Sequence, residues 1–361
     1  MKKIIFFSVN MNIGGMEKAL VDLLNELAKK NYDVTLVLEK KEGVLLRQID
    51  RRITVREYRV CTGGNVLMRK VRNFLHRAVW TAANRGKYDF SCAYATYSVI
   101  GTRLALAASA NSSIYIHSNY FDVYRGQREE IRRFFDELRL EDFRHIIFVS
   151  NESRDKLKRV YPCIEEKGAV IDNLIDADKI WKLSADKVPL KKEGERTFLF
   201  VGRLEEESKR LSRLLNAFAA AYQKDRGIRL FIIGDGKDKE LCRRLIHELR
   251  LEEAVSMLGK KENPYPYIKE ADCVLLTSDY EGYPVIYSEC LILQTPVITT
   301  VPVSDGFVDI RDYEVIVEKD ENAVANAILK TDLQQYGRNK IDFKELNRKK
   351  LESLERLFSS I

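Results

Sequence analysis

No stretch of this 361-residue chain stays apolar long enough to span a bilayer. The apolar run at the amino terminus, Ile4-Ile5-Phe6-Phe7-Ser8-Val9, stops at Asn10 with no small-residue cleavage site after it, so a first buried strand is expected there and not a secretory signal. Cysteine is sparse: Cys61, Cys92, Cys163, Cys242, Cys273 and Cys290 stand singly, without a CxxC pair or zinc-ligand spacing. Reduced thiols in a cytosol are the expectation, and a disulfide framework is excluded as an organising device. Internal repeats of solenoid period and low-complexity tracts are missing too. A composition of 45% hydrophobic and 32% charged residues is that of an ordinary globular protein, not of a disordered or collagen-like one. The GxGxxG fingerprint is absent, which argues against a nicotinamide cofactor.

What is present is a regular alternation. Short apolar runs bounded by turn residues, at 3–9, 33–38, 53–60, 89–95, 113–117, 145–149 and 169–172, are separated by segments of helical period. A second series follows at 197–202, 229–233, 255–258, 273–277, 296–299 and 314–317. Such βα units build parallel sheets, and the chain is longer than the roughly 250–300 residues at which one core stops growing. The fold class expected is therefore α/β, with two Rossmann-like doubly wound domains facing a central cleft, since open sheets bind ligands at the carboxyl ends of their strands. Domains are placed at 1–175 and 197–340, joined by 176–196, which is charged, lacks a clear period and carries Pro189. The segment 341–361 has helical spacing at Phe343, Leu346, Leu351, Leu354, Leu357 and Phe358, and is expected as a helix that crosses back to the first domain.

Three segments carry chemistry. The first βα turn reads Asn12-Ile13-Gly14-Gly15-Met16-Glu17-Lys18 before an amphipathic run. Paired glycines let a backbone approach a phosphate, and a helix amino terminus offers free N–H groups, although Gly-Gly alone fits a tight turn equally well. The second half opens on Phe198-Leu199-Phe200-Val201-Gly202-Arg203-Leu204, with Lys209 six residues after Arg203. An arginine fork and a lysine point charge at the end of a first strand suit a diphosphate, whereas either cation alone reads as a solvated surface charge. Third, Asp279-Tyr280-Glu281-Gly282-Tyr283-Pro284-Val285-Ile286-Tyr287-Ser288-Glu289 follows a buried-strand run. Proline favours the first turn of a helix, so Glu281 is expected in the preceding loop and Glu289 within the helix, both facing the cleft. Carboxylates there suit sugar and ribose hydroxyls, each such hydrogen bond being worth about 1.5–3 kcal/mol; singly, each residue reads as a helix cap or a solvated glutamate.

Taken together, the E-x7-E pair Glu281 and Glu289, Gly14-Gly15, the Arg203 to Lys209 clamp and the Ile171-Asp172-Asn173-Leu174-Ile175-Asp176 crossing resemble the retaining GT4 glycosyltransferases of GT-B fold, over nearly the whole chain and most strongly from about 197 to 300. The resemblance implies an acceptor-side first domain and a second domain that binds a nucleotide sugar. It assigns the donor diphosphate to Gly15, Arg203 and Lys209, with Gly14 beside them. Glu281 takes the donor sugar, with Gly282, Tyr283, Pro284 and Val285 around it, and Glu289 takes the ribose. Leu258, Gly259 and Lys260 lie against the base. His117, in Tyr115-Ile116-His117-Ser118 at a strand end, matches the family's cleft histidine near the reacting sugar face; His76, His145 and His247 have no such context. The implied reaction is front-face displacement from a UDP-sugar to a glycan or lipid-linked saccharide of a cell-surface polysaccharide such as a capsule, with no metal and no cofactor. The Asp-x-Asp sequence Asp176-Ala177-Asp178 sits at the domain crossing and not at a strand end. A non-catalytic paralogue that binds a sugar nucleotide or a partner subunit is the alternative. Arg210, Gln294 and the segment Val303-Ser304-Asp305-Gly306-Phe307 depart from the glycines usual at those places.

The net charge of +7 is concentrated. From Arg47 to Lys87 eleven Lys or Arg face only Asp50 and Glu57, a local +9 that leaves about −2 for the rest. Within it Leu67, Val71, Phe74, Leu75, Ala78 and Ala82 recur at helical spacing among Arg69, Lys70, Arg72 and Arg77. Such a helix can lie on anionic lipid or pack in the ordinary way on a sheet, and the two readings stand level. No nucleic-acid module accompanies the charge. The expected location is cytoplasmic, with a peripheral place on the inner face of the plasma membrane if the lipid reading holds.

Overall fold

The computed structural model describes residues 1–190, 194–301, 314–336 and 341–359. The chain divides into two compact units, Met1–Ile175 with Asn347–Ile361, and Asp176–Leu346. All thirteen runs read as strands form strands. In the first unit these are β1 (Lys2–Ser8), β2 (Tyr32–Leu38), β3 (Thr54–Glu57), β4 (Phe90–Ala93), β5 (Ser112–Ile116), β6 (His145–Phe148) and β7 (Gly168–Val170). The second holds β8 (Arg196–Val201), β9 (Ile228–Ile233), β10 (Val255–Gly259), β11 (Cys273–Leu276), β12 (Val297–Thr299) and β13 (Glu314–Ile316). The run 53–60 shortens most, because β3 is an edge strand whose outer residues face water.

The seven-stranded order is β3-β2-β1-β4-β5-β6-β7 and the six-stranded order β10-β9-β8-β11-β12-β13, with every pairing parallel. Each sheet thus reverses direction of growth beside its first strand, at β1/β4 and β8/β11. That is the switch point where strand ends diverge and leave room for a ligand.

Both sheets are covered on both faces, as near-continuous apolar strands require. In the second unit Phe198, Phe200, Leu230 and Ile232 meet Leu211, Leu214, Leu215 and Phe218 of the helix Leu211–Lys224, while Leu199 on the opposite face is equally buried. In the first, Ile5, Phe7, Ile114, Ile116, Ile146 and Phe148 share a core with Phe135 and Phe143. Each such side chain contributes about 1.5–3 kcal/mol on burial.

One local expectation changes and two features gain detail. The stretch 176–196 contains a helix, Ala177–Leu183, whose Asp176 cap accepts from the Lys179 N–H at 2.9 Å. This helix packs on helices Tyr265–Glu270 and Val285–Leu293, and Lys269 lies 5.3 Å over the Trp181 ring. Two turns are too short to reveal a period, which is why the sequence read as a plain connection. The last helix, Phe343–Leu357, spans the boundary of the two units, and its later turns belong to the first, where Phe358 sits 4.6 Å from Phe90 and 5.5 Å from Tyr32. Finally α2 (Val66–Asn84), the second long helix after α1 (Gly15–Lys29), has no buried residue at all.

Candidate functional site

In the second unit, chemistry gathers at the β8/β11 switch point. Arg203 stands in the loop after β8, two residues beyond the strand, and Lys209 closes the short helix Glu206–Lys209. Two glycines that the sequence did not single out make room for this loop. A Cβ at Gly234 would lie 1.9 Å from the Gly202 carbonyl oxygen, and one at Gly236 would lie 2.3 Å from that of Leu204. Their signal was a Gly-Asp-Gly directly after β9.

Loop 277–284 closes the other side. Asp279 N–H donates to the Ser208 carbonyl at 2.9 Å, and the Thr277 hydroxyl donates to the Lys209 carbonyl at 3.1 Å. Buried Arg213 donates to the Thr277 carbonyl at 2.8 Å and reaches Asp279 at 2.7 Å; Arg210 Nε lies 3.4 Å from the same carboxylate. Lys209 Nζ bonds directly to Glu281 Oε1, which also accepts from the Ser278 hydroxyl at 2.5 Å. Lys209 and Glu281 thus meet directly, and Arg203 stands in the same loop after β8, 4.0 Å from Glu205; Ser278 and Arg213, which help to fix that place, carried no motif.

Glu281 and Glu289 differ more than their pairing suggested. Glu281 is in the loop, as expected, and partly accessible. Glu289 is 3% exposed, because the helix Val285–Leu293 is buried around it from Tyr287 to Leu293. The helix begins at Val285, one residue after the expected first-turn proline: Pro284 is its N-cap, with extended ψ of 119°. Tyr283 is buried, its hydroxyl accepting from Ser288 Oγ at 3.0 Å, and Gly282 links it to Glu281. Leu258 and Gly259 end β10, where Gly259 has φ +69° and its carbonyl accepts from the Gly234 N–H at 3.1 Å. Open space surrounds its missing Cβ.

Two of the departures from glycine now have a physical meaning. Arg210 and Gln294 both hold left-handed backbone, φ +53° and φ +60°, the region that glycine enters without a steric cost. Val303 to Phe307 lie outside the described residues.

In the first unit, Gly14 caps α1 with φ −156°, extended backbone that any residue adopts, so no left-handed turn explains the glycine pair. A Cβ there would instead meet the Glu17 carboxylate at 2.2 Å: an acidic side chain already folds over this helix start, and Gly15 is the first helical residue. His117 follows β5, stacked on Tyr115 at 4.7 Å and tilted against Tyr94 at 4.4 Å. Its Nε2 is buried with no hydrogen-bond partner among the described residues. Burial pushes its pKa down to about 3, opposed by a hydrogen bond to the Tyr94 backbone. The ring is therefore neutral at physiological pH, and with that bond satisfied by an N–H, Nε2 presents a lone pair. His145 bonds Asn111 at 3.0 Å, His76 stacks on Tyr58 at 4.6 Å and His247 pairs with Glu252 at 2.8 Å.

Asp176 and Asp178 have local roles, the first as a helix cap and the second paired with Lys344 at 2.9 Å.

Helix α2 exposes what a packed helix hides. Leu67 is 71%, Phe74 60% and Val79 68% exposed, with Val71 and Leu75 close behind. It is attached through Trp80, 5.8 Å from Phe7, through His76 against Tyr58, through the helix Val99–Ala108, and through Asn73, which exchanges hydrogen bonds with the Cys61 backbone at 2.8 and 3.1 Å. Arg69, Lys70, Arg72 and Arg77 are interleaved, and Phe74, Arg77, Ala78 and Arg85 line a shallow depression along it. Of the two readings of this segment, ordinary packing holds only in part: Trp80 lies against the first unit's core, while Leu67, Phe74 and Val79 stay exposed. Among the described residues, no helix is long and apolar enough to cross a membrane.

Comparison with known proteins bears on both units. Residues 13–179 match the family model described as Glycosyltransferase Family 4, and residues 182–341 match that described as Glycosyl transferases group 1. An uncharacterized glycosyltransferase of Methanocaldococcus jannaschii is 30% identical over 161 residues, which are 43% of this chain and 39% of that protein. A Campylobacter jejuni protein named as an N-acetylgalactosaminyltransferase acting on a diacetylbacillosaminyl-diphospho-undecaprenol is 31% identical over 135 residues, 37% of this chain and 35% of its own. The matched stretch spans little more than a third of each relative. Anabaena HepE, solved in complex with UDP and glucose, superposes with a TM-score of 0.77 at 17% identity, over all of both chains. That last likeness is one of fold, and the fold is GT-B.

Proposed function

We propose that this chain, which belongs to the GT4-type glycosyltransferases, moves a hexose-type sugar from a UDP-sugar to a glycan or lipid-linked saccharide of a cell-surface polysaccharide, with retention of anomeric configuration. The observation that carries this is the meeting of Lys209 and Glu281 at the β8/β11 switch point, with Arg203 in the same loop after β8. Two cations beside an uncharged strand end are suited to a diphosphate, and a carboxylate next to them is suited to sugar hydroxyls. Gly259 leaves open space at the end of β10, next to Leu258, which suits a base. HepE supports UDP as the nucleotide, because its structure holds UDP and glucose. The Campylobacter relative, whose name specifies a diphospho-undecaprenol acceptor, supports a lipid-linked saccharide.

In this mechanism the donor's own diphosphate does the work of a base. As the glycosidic bond to the leaving oxygen breaks, an oxocarbenium-like sugar forms and the diphosphate takes the proton of the acceptor hydroxyl that attacks from the same face. Arg203 and Lys209 stabilise the charge that grows on the diphosphate, a contribution that typically reaches 10²–10³-fold, about 2.7–4 kcal/mol, for one preorganised group. Those cations take the place a divalent metal fills elsewhere, so transfer proceeds without one. In the first unit, on the acceptor side, neutral His117 offers a hydrogen-bond acceptor and no charge. Helix α2, basic and apolar on its exposed surface, supports work in the cytoplasm on the inner face of the plasma membrane.

Slow hydrolysis of UDP-sugars without acceptor, in the presence of EDTA, tests the assignment. The parent is expected to release UDP, and Glu281→Gln and Arg203→Ala to release it at least about 10²-fold more slowly. Variants as fast as the parent would show that these residues do not serve the donor, and no hydrolysis or transfer by the parent would favour a non-catalytic paralogue.

A further inference from the structure

The two cations of the donor site are not in the same state. Arg203 has its side chain 73% exposed and comes only within 4.0 Å of Glu205. Lys209 is 19% exposed and already paired with Glu281, itself 14% exposed. The pair is preformed by the backbone on both sides, through Asp279 to Ser208 and Thr277 to Lys209, and Arg210 and Arg213 clamp Asp279 between them. These contacts tie loop to helix end, and the choice of partner is left to the side-chain tips. Ser278 holds the carboxylate on the same oxygen that faces Lys209.

We propose that Glu281 is an internal stand-in for the donor phosphate: in the empty protein its carboxylate occupies Lys209, and a diphosphate oxygen displaces it. The displaced carboxylate then turns to the sugar hydroxyls. This rests on Lys209 and Glu281 being donor ligands, and adds that their two tasks exclude each other until a donor arrives. Lys209 has one ammonium group for two anions, a carboxylate held at hydrogen-bond distance and an incoming diphosphate whose total charge is larger. A nucleoside diphosphate alone must break the Lys209–Glu281 pair and leaves Glu281 without a cation. An intact sugar nucleotide breaks the same pair but supplies hydroxyl donors to the freed carboxylate. The site therefore favours the donor over the spent nucleotide, and re-formation of the pair helps to expel UDP after transfer. Free monosaccharide, with no anion to draw Lys209 away, meets an occupied Glu281.

Calorimetric titration with UDP, UDP-glucose and inorganic pyrophosphate separates this from simple contact. Glu281→Gln is expected to bind UDP and pyrophosphate more tightly than the parent, by roughly fivefold, the worth of one partly exposed ion pair, while its preference for UDP-glucose over UDP collapses. Ser278→Ala, which loosens the carboxylate without removing it, is expected to shift UDP in the same direction by a smaller factor. Lys209→Met weakens UDP, and in the Lys209→Met/Glu281→Gln pair the gain from Glu281→Gln disappears. Arg203→Ala also weakens UDP, but keeps the full gain. If Glu281→Gln binds UDP no better than the parent while Lys209→Met still weakens it, the stand-in is overturned and the diphosphate site survives. If neither Lys209→Met nor Arg203→Ala changes UDP or pyrophosphate binding, the diphosphate assignment falls as well.

Discussion

Lys350 places its ammonium 2.7 Å from the Asp172 carboxylate, and the two side chains are 3% and 0% exposed. The residues are far apart in sequence: Asp172 follows β7, and Lys350 lies in the last helix, where it also donates to the Asn173 carbonyl at 3.0 Å. Nearby, Asn347 donates to the Ile175 carbonyl at 2.7 Å. This buried pair, together with Phe358 against Phe90 and Tyr32, fixes the end of the chain to the first unit. Removing one partner leaves a charge buried without compensation, so Lys350→Met or Asp172→Asn is expected to cost about 3–5 kcal/mol, and the double change less than the sum. Urea unfolding of the three variants measures it. Singles within 1 kcal/mol of the parent, on the scale of a surface pair, would show that water reaches this site.

Backbone strain makes a second prediction in the opposite direction. Gln294 caps the helix Val285–Leu293 in left-handed geometry, with its N–H on the carbonyls of that helix's last turn. A side chain in this region costs roughly 1–2 kcal/mol, offset in part by the entropy of an unfolded glycine. Gln294→Gly is expected to raise stability by about 1 kcal/mol, and a lowered melting temperature would refute it. The same exchange at Arg210 relieves φ but removes the contact with Asp279, so its gain should be smaller.

The third concerns pH. Burial holds His117 near a pKa of about 3, below the roughly 6.5 of an unfolded histidine, so the unfolded state binds the proton first. Its contribution to stability is whole above pH 6.5 and is lost as pH falls from there toward 3, with a slope of at most about 1.4 kcal/mol per pH unit. His117→Gln is expected to flatten stability against pH across that window, relative to the parent. His145, whose pKa is lowered by burial and by Arg144, stays in both proteins and cancels in the comparison. Parallel curves for the two proteins would mean that His117 is protonated in the folded state.

Helix α2 supplies the fourth. The protein is expected to bind anionic vesicles weakly, and Gln at Arg69, Lys70, Arg72 and Arg77 together to reduce binding on the order of 10²- to 10³-fold, at about 1 kcal/mol for each cation. Phe74→Ser should weaken it independently of salt, since that ring is exposed and apolar. Co-sedimentation measures both. Equal binding to neutral vesicles at high salt would sink the electrostatic part.

The sequence by itself determined the class of architecture. Parallel strands buried on both faces must be continuous apolar runs, and helices that cover them must be amphipathic, so each strand announced itself locally, and the order of turns placed Arg203, Lys209 and Glu281 after strands that become neighbours. Tertiary structure alone decided the state of those residues. A motif fixes spacing along one chain segment, but whether Lys209 stands free or meets Glu281 depends on loops after β8 and β11 coming together across the sheet. The same holds for α2, whose apolar period predicts a covered face without saying what covers it: the described chain leaves Leu67, Val71, Phe74, Leu75 and Val79 exposed. It holds again for Glu289 and His117, where burial set by neighbours distant in sequence, not residue type, determines exposure and charge.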